Sequence, residues 1–575
     1  MKILLLTHTF NGLAQRLFVE LRARGHTLSV EFDISDAVTE EALALFRPDL
    51  VLAPFLKRRI PESVWSRVPC LVVHPGPPGD RGPSALDWSV LKGEALWGVT
   101  VLQASAEFDA GTVWAWRRFS ARADASKASL YRREVTNAAL EAVLEALGRF
   151  VPGSLAPGSL PEPPPQWGTW QPLVTQAQRA IDWQQHGSAE VLRRIRSADG
   201  FPGVVAPLFG QACRVFDAHA ATPQTLARAP AGAPGDVVAQ RGPALLVRTV
   251  DGGIWIGHVR RPPEAEGRPT LKLAATRAFE GFVAGLPELG VPLQREADEW
   301  DELRYREAGP PGAEVGWLDF DFHNGALSER QARRLIEALQ FARSRPTQVL
   351  VLAGGADFFS NGIHLHEIEA SSESAVEASW RAIHAIDDVC LAILQLSDRL
   401  CIAALRGNAG AGGCFLALAA DRVWAHEAVL FNPHYKNMGN LYGSEYWTYL
   451  LPRRVGDAAA SRVMRQRLPQ AAREAAECGL IDEVFAAGAV AFEAQAWPRA
   501  LALAADPQHA RWVAEKAARR AADEAIKPLA AYRAEELARM RRNFEGFDPS
   551  YHVARHHFVH RKPHAWTPRH LATHR

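Results

Sequence analysis

Residues 410–421 read GAGGCFLALAAD, a glycine-rich turn that runs into an apolar helix. Turns of this kind aim backbone N–H groups at an oxygen and so cradle a developing negative charge. The residue just after the turn, where some enzymes carry a carboxylate, is Phe415. An α/β pattern leads into the turn from Gly316: the strand WLDFDF, the helix SERQARRLIEALQFA and the strand QVLVLAG. An oxyanion cradle without the usual acid or base raises a question about its chemistry. The other half of the chain bears on the answer.

That half opens with KILLLTH, an unbroken apolar run that predicts a buried strand. LAQRLFVELRARGH repeats apolar residues at helical spacing and stops at Gly25. HTLSVEFD predicts a second strand, and EEALALFRPDLVLAPFL a helix with a third. Strands alternating with helices imply an open parallel sheet, which binds ligands beyond its strand C-termini. No G-x-G-x-x-G follows the first strand, so a dinucleotide is not expected.

At 575 residues the chain is too long for one core. The expected organisation is an α/β catalytic domain (1–151), a proline-rich linker (152–167), a small β-barrel-like domain (168–275), a connector (276–312), a second α/β domain (313–485) and a C-terminal helical extension with a basic tail (486–575). GDVVAQRGPALLVRTVDGGIWIGHV alternates apolar and polar residues between turn glycines, which suggests the barrel. The connector reads as a helix followed by the break AGPPG.

A hydrophobic content of 47% and a charged content of 22% describe an ordinary soluble globular protein. A net charge of +1 gives no drive toward nucleic acid or membrane, and no run reaches spanning length. The six cysteines lie far apart, which fits a reducing cytoplasm rather than a disulfide framework.

VVHPGPPGDRGPSALDW (72–88) places His74 at a strand C-terminus, and GVTVLQASAEFDAG puts Asp109 in a turn after another strand. The two could form an acid/base pair at the mouth of one sheet, or be surface residues in loops. MKILLLTH, DLVLAPFLKRRIP, HPG…GDRGP, GVTVLQASAEFDAGTV and IDW…RRIRSADGFPG resemble the tetrahydrofolate-dependent formyltransferases in order and spacing. That resemblance implies a Rossmann-like catalytic domain with a barrel behind it, and makes His74 and Asp109 two members of a catalytic trio. The third member, an asparagine two residues before the histidine, is Val72 here. Losing such a donor typically costs about 10²–10³ in rate, so either another group substitutes or the acceptor chemistry is easier. A thiol acceptor would fit.

VLVLAGGADFFSNGIHLHEI (349–368), CIAALRGNAGAGGCFLALAADRVWA and GLIDEV (479–484) resemble the crotonase, or enoyl-CoA hydratase/isomerase, superfamily. That resemblance implies a thioester carbonyl held by the N–H groups of Ile363 and Gly412. Gly412 and Gly413 could instead serve close helix–strand packing, and Asp421 is expected to brace the fold. The two hydratase glutamate positions fall at Phe415 and His434, which argues against hydration. The loop VLFNPHYKNMGNLYGSEYW (429–447) supplies Tyr435 and Glu445 instead. Both modules in this order, with PHYKNMG and GSEYWTYLLPRRVG, resemble the hydrogenase maturation factor family HypX, also called HoxX. Tyr435 and Glu445 are then the implied acid/base pair.

Joined, the two resemblances imply transfer of a formyl group from 10-formyltetrahydrofolate to coenzyme A, followed by decarbonylation of formyl-CoA to carbon monoxide for nickel–iron hydrogenase. The expected partners are small-molecule substrates and the hydrogenase large subunit or its assembly proteins. Two alternatives stay open: an amine formyltransferase fused to an unrelated acyl-CoA isomerase, and a non-catalytic maturation scaffold. The histidine-studded tail YHVARHHFVHRKPHAW reads as a basic surface rather than a metal site.

Overall fold

The computed structural model describes residues 1–160, 167–263, 270–295 and 298–575. Residues 161–166 of the expected proline-rich linker lie outside the described residues. The chain forms two compact units: Met1–Leu289 together with Pro563–Arg575, and Gly290–Lys562.

The first unit opens with β1 (Lys2–Thr7), β2 (Thr27–Phe32), β3 (Leu50–Phe55), β4 (Cys70–His74), β5 (Leu96–Gln103) and β6 (Val113–Ser120), in the sheet order β2-β1-β3-β4-β5-β6. Strands β1 to β4 pair in parallel, as their alternation with helices implies. β5 and β6 depart from the expected parallel sheet and run antiparallel to their neighbours. The turn between them is too short for the crossover that parallel strands require. A second sheet is antiparallel throughout: β7 (Val204–Leu208), β8 (Gln211–Ala220), β9 (Val237–Arg241), β10 (Ala244–Thr249), β11 (Gly252–Arg260) and β12 (Lys272–Ala274).

The last residues of the chain belong to this unit and cover β2, the edge of the first sheet. Val30 donates its N–H to the Leu571 carbonyl at 2.9 Å, and Phe32 donates to Thr567 Oγ1 at 2.9 Å. Glu31, fully buried, accepts from Thr567, His574 and Arg575. The tail therefore occupies edge groups that would otherwise invite another strand.

The second unit begins earlier than the expected connector allows. Among the described residues of 276–312 the helical segments are short turns, and LRYREA forms β13 (Leu303–Ala308), with Leu303 and Tyr305 buried and Arg304 and Arg306 half-buried on the opposite face. Its two-residue period is a strand signal. β14 (Val315–Phe320), β15 (Ala326–Leu327), β16 (Val349–Gly354), β17 (Phe358–Ser360), β18 (Gly362–Ile363), β19 (Leu400–Leu405), β20 (Asn408–Gly410), β21 (Arg422–His426), β22 (Leu430–Asn432), β23 (Gln470–Ala471) and β24 (Glu483–Phe485) follow. The large sheet runs β13-β14-β16-β19-β21-β24 and a small one β17-β20-β22-β23. Successive passes add one strand to each sheet, so the loops after β16, β19 and β21 converge beside the small sheet. Capping boxes at Ser328/Gln331 and Ser374/Glu377 start the helices Glu329–Arg343 and Ala375–Leu394. Asp421 accepts from the Cys401 N–H at 2.7 Å and pairs with Lys516 at 2.6 Å, the bracing role expected of it.

Candidate functional site

In the first unit His74 ends β4, and Asp109 sits in the β5–β6 turn with a left-handed backbone (φ 54°). The fold brings them together: His74 Nδ1 lies 3.5 Å from Asp109 Oδ1. The other ring nitrogen, Nε2, lies 2.8 Å from Asp80 Oδ2. Asp80, from the GDRGP loop, was not singled out in the sequence. It is 3% exposed and His74 5%. Asp109 is itself held by the Gly82 N–H, which donates to Oδ2 at 3.1 Å. The imidazole is thus flanked by a carboxylate on each side. Each ring nitrogen thus has a carboxylate oxygen toward which it can carry a proton.

Gly76 makes this packing feasible. A Cβ there would fall 2.3 Å from Asp80 Oδ2 and 2.5 Å from His74 Nε2. Val72 lies two residues earlier on β4 and shares the His74 face by strand alternation. It packs against the core cluster that includes Val51, Ala53 and Cys70, and offers no donor.

The second unit assembles its site from three loops and two helices. Ala411 opens the glycine turn at φ 47°, a strained conformation for a residue with a Cβ, and the helix Gly412–Leu418 follows. A Cβ on Gly362 would lie 3.3 Å from the Gly412 nitrogen, so the residue before Ile363 comes close to the first N–H of that helix. That N–H has no acceptor within its own helix. The two neighbouring glycines then separate by role. A Cβ on Gly413 would meet the Ser360 carbonyl oxygen at 2.1 Å, which is close backbone packing. On Gly412 it would meet Glu445 Oε1 at 2.3 Å, so a carboxyl oxygen already faces the cradle.

Glu445 is 3% exposed and Tyr435 6%. The Tyr435 hydroxyl donates a short hydrogen bond to Glu445 Oε2, which also accepts from the Ser444 N–H at 3.0 Å. Burial pushes the Glu445 carboxyl above the usual carboxylate range. Burial, reinforced by the Glu445 charge, holds the Tyr435 phenol well above its ordinary value. Phe415, fully buried, stacks on the Tyr435 ring at 5.5 Å and 12°. His434 is also buried, in the loop after β22.

Glu445 and Tyr446 both have left-handed backbones, at φ 61° and 60°. Two further buried acids that the sequence reading missed contact them. Asp387 Oδ1 accepts the Glu445 N–H at 2.7 Å, and Glu536 Oε2 accepts the Tyr446 N–H at 2.9 Å. Burial pushes both carboxyls up to about 8. Each interrupts an apolar helical stripe: Ile383, Ile386 and Cys390 around Asp387, and Leu529, Met540 and Phe544 around Glu536. An acid on an apolar stripe was the available signal.

In the histidine-rich segment, Glu369 Oε1 lies 2.8 Å from His560 Nε2 and 3.3 Å from His556 Nδ1, while Arg555 Nε occupies Oε2 at 2.9 Å. Burial works against the Glu369 charge, but these partners win and hold the carboxyl down at about 2. The cluster ties the last helix, Ser550–Val559, to Leu365–Glu369 through ion pairs. Among the described residues no helix is long and apolar enough to cross a membrane.

Three family models match the chain: formyl transferase over residues 29–147, formyl transferase C-terminal domain over 173–269, and enoyl-CoA hydratase/isomerase over 318–567. The last match extends through the helix that carries Glu536. A methionyl-tRNA formyltransferase of Variovorax paradoxus is 29% identical over 233 residues, 39% of this chain and 68% of that protein. The hydrogenase maturation factor HoxX of Bradyrhizobium diazoefficiens is 53% identical over 576 residues, covering 100% of this chain and 97% of that protein. A crystal structure of HypX from Aquifex aeolicus in complex with tetrahydrofolic acid superposes with a TM-score of 0.92 at 44% identity, covering 100% of this chain and 99% of that one. With a formyltransferase module and a crotonase module in one chain, matched end to end at this identity, the protein belongs to the HypX/HoxX family of hydrogenase maturation factors.

Proposed function

We propose that the chain makes carbon monoxide in two steps. A formyl group moves from 10-formyltetrahydrofolate to the thiol of coenzyme A, and the formyl-CoA so formed is broken down to carbon monoxide and free coenzyme A. In the first step the N10–formyl bond breaks, the carbon–sulfur bond forms, and the thiol proton ends on folate nitrogen. His74 carries that proton through Nδ1, with Asp80 orienting the ring and Asp109 beside the receiving nitrogen. A thiolate is a strong nucleophile, which offsets the donor absent at Val72. The tetrahydrofolate held by the HypX of Aquifex aeolicus supports folate as the formyl carrier.

The single observation that carries the second step is the Glu445 carboxyl, with Oε2 tied to Tyr435 and Oε1 facing Gly412. A thioester carbonyl held at the Ile363 and Gly412 N–H groups fits that cradle and would bring its carbon beside Oε1. Glu445 then takes the formyl proton as the carbon–sulfur bond breaks, and returns it to the departing thiolate. Atoms balance: one formyl thioester gives one carbon monoxide and one thiol. The raised carboxyl of Glu445 makes it a competent base near neutrality. Tyr435, kept protonated, serves as the hydrogen-bond donor that fixes Glu445. Phe415 forms an apolar wall where a hydratase would activate water. The hydrogenase large subunit or its assembly proteins receive the product, in the cytoplasm.

Purified protein mixed with coenzyme A and 10-formyltetrahydrofolate labelled at the formyl carbon, with deoxyhaemoglobin as trap, tests the reading. Labelled carbon monoxide that requires both additions is expected. Accumulation of formyl-CoA without gas would overturn the second step, and untouched folate would overturn the first.

A further inference from the structure

The loop that carries Glu445 is held by side chains rather than by other backbone. The N–H groups of Tyr442, Gly443, Ser444, Glu445 and Tyr446 donate in turn to Asn543 Oδ1 (3.0 Å), Met540 Sδ (3.2 Å), Glu445 Oε2 (3.0 Å), Asp387 Oδ1 (2.7 Å) and Glu536 Oε2 (2.9 Å). Three of these acceptors come from one helix, Leu529–Glu545, and Asp387 comes from Ala375–Leu394. Glu536 also accepts from the Thr448 N–H at 2.7 Å and its hydroxyl at 2.5 Å, and so caps the helix Trp447–Val455. Arg533, on the same helix as Glu536, sits 3.5 Å from the second Asp387 oxygen.

Asp387 and Glu536 are both fully buried, an unusual location for acids. They meet the two consecutive residues whose left-handed backbone turns the Glu445 side chain toward Gly412. An unbranched loop of this sequence has no reason to keep two non-glycine residues in that region unless surrounding groups over-determine it. We infer that Asp387 and Glu536 are positioning residues for formyl-CoA breakdown, clamping the Glu445–Tyr446 backbone so that the Glu445 carboxyl stays against the thioester cradle. The inference rests on the proposed reaction for its kinetic consequence, but the clamp itself can be measured without it.

The test uses the full-length chain with Asp387→Ala, Asp387→Asn and Glu536→Gln. Turnover of supplied formyl-CoA is followed by deoxyhaemoglobin trapping, and deuterium exchange is followed at the amides of residues 442–448. Asp387→Ala is expected to lower kcat roughly 10²-fold with KM nearly unchanged, as a misplaced group does, and to speed exchange at the Glu445 and Tyr446 amides. Asp387→Asn keeps the acceptor oxygen that meets the Glu445 N–H, and most of the turnover is expected to survive; Glu536→Gln can serve only one of the Tyr446 and Thr448 N–H groups and is expected to lose part of it. Where the alanine chain fails to fold, Glu536→Gln decides the matter: faster exchange at the Tyr446 and Thr448 amides supports the clamp, and unchanged exchange refutes it. A wild-type kcat in Asp387→Ala, or a loss in Asp387→Asn as large as in the alanine variant, would overturn the inference. Should the unaltered protein leave formyl-CoA intact, the proposed reaction fails. Exchange still judges the clamp: faster amides in Asp387→Ala but not in Asp387→Asn support it, and unchanged amides refute it.

Discussion

Replacing Gly412 or Gly413 with alanine adds one methyl group to adjacent residues of the same turn, and the structure assigns the two changes opposite consequences. At Gly412 the new carbon would lie 2.3 Å from Glu445 Oε1, 3.0 Å from its Cδ and 3.1 Å from Ile386 Cδ1. Ordinary contact begins near 3.4 Å, so the carboxyl oxygen must retreat by about 1 Å. It is the end of a flexible side chain, so the fold absorbs the change at a cost of about 1 kcal/mol or less. A displacement of that size at a proton-transfer atom costs about 10²-fold in rate, or close to 2.7 kcal/mol in the barrier. At Gly413 the new carbon would lie 2.1 Å from the Ser360 carbonyl oxygen and 2.4 Å from its carbon. Backbone cannot step aside, so Gly413→Ala is expected to cost roughly 1–3 kcal/mol of stability. The assay pairs single-turnover consumption of formyl-CoA with a thermal melt. Gly412→Ala should lose rate while melting near the wild-type temperature, and Gly413→Ala should melt lower. A Gly412→Ala chain with full rate would refute the placement of Glu445 in the chemistry, as would one whose loss of rate tracks its loss of stability.

Three other outcomes follow from buried charge. Asp80→Asn removes the carboxylate that orients His74, and folate-dependent formyl transfer should fall by about 10²–10⁴ while breakdown of supplied formyl-CoA continues; equal rates would refute its role. Deleting residues 563–575 removes the Thr567, His574 and Arg575 partners of Glu31 together with the chain that covers β2, which should cost the first unit about 1–3 kcal/mol, read as an early transition in a melt. A truncated chain with an unchanged melt would show that the tail is dispensable. Asp387 and Glu536 have carboxyls raised to about 8 in the folded state, above an unfolded value near 4. The folded chain therefore holds more protons between those values, and the second unit should lose stability as pH rises from about 4 to 8 and level off above. Asp387→Asn with Glu536→Gln should flatten that slope, and an unaltered slope would refute the assignment.

Much of the fold was legible because its signals are local. The apolar run of β1, the apolar segments of β9 to β11 between turn glycines and the helical spacing of Glu329–Arg343 all depend on residues within one element. What escaped depends on pairing between distant segments. The strand before Asp109, β5, read as continuation of a parallel rhythm and β6 was not read at all; their antiparallel pairing appears only once the turn carrying Asp109 is seen to fold back. LRYREA was absorbed into a connector because its alternation is short and charged on its outer side. His74, Asp109, Gly412, Tyr435 and Glu445 stood out because they lie in motifs that resemble the formyltransferase, crotonase and HypX families. Asp80, Asp387 and Glu536 hold those residues from other elements, and nothing in their immediate neighbours says what they touch. Asp387 and Glu536 did leave a trace, as acids on apolar helical stripes, and that trace is only interpretable when the facing loop is known.

The placement of Glu445 also gives Phe415 a physical reason. A carboxylate at position 415 would sit at the start of a regular helix, where backbone geometry alone sets its direction. Glu445 instead projects from a strained loop whose N–H groups donate to Asp387 and Glu536 on two other helices. Phe415 stacks flat on Tyr435 beside the cradle, and in the proposed reaction Glu445 approaches as the base from the loop side. In that proposed reaction the base so fixed removes the one proton on the formyl carbon, and the apolar ring at 415 leaves no carboxylate there to activate water. The apolar residue at 415 and the braced loop at 442–448 are therefore two parts of one arrangement. Restoring an acid at 415 would bury a charge against the Tyr435 ring without supplying the geometry of a hydratase.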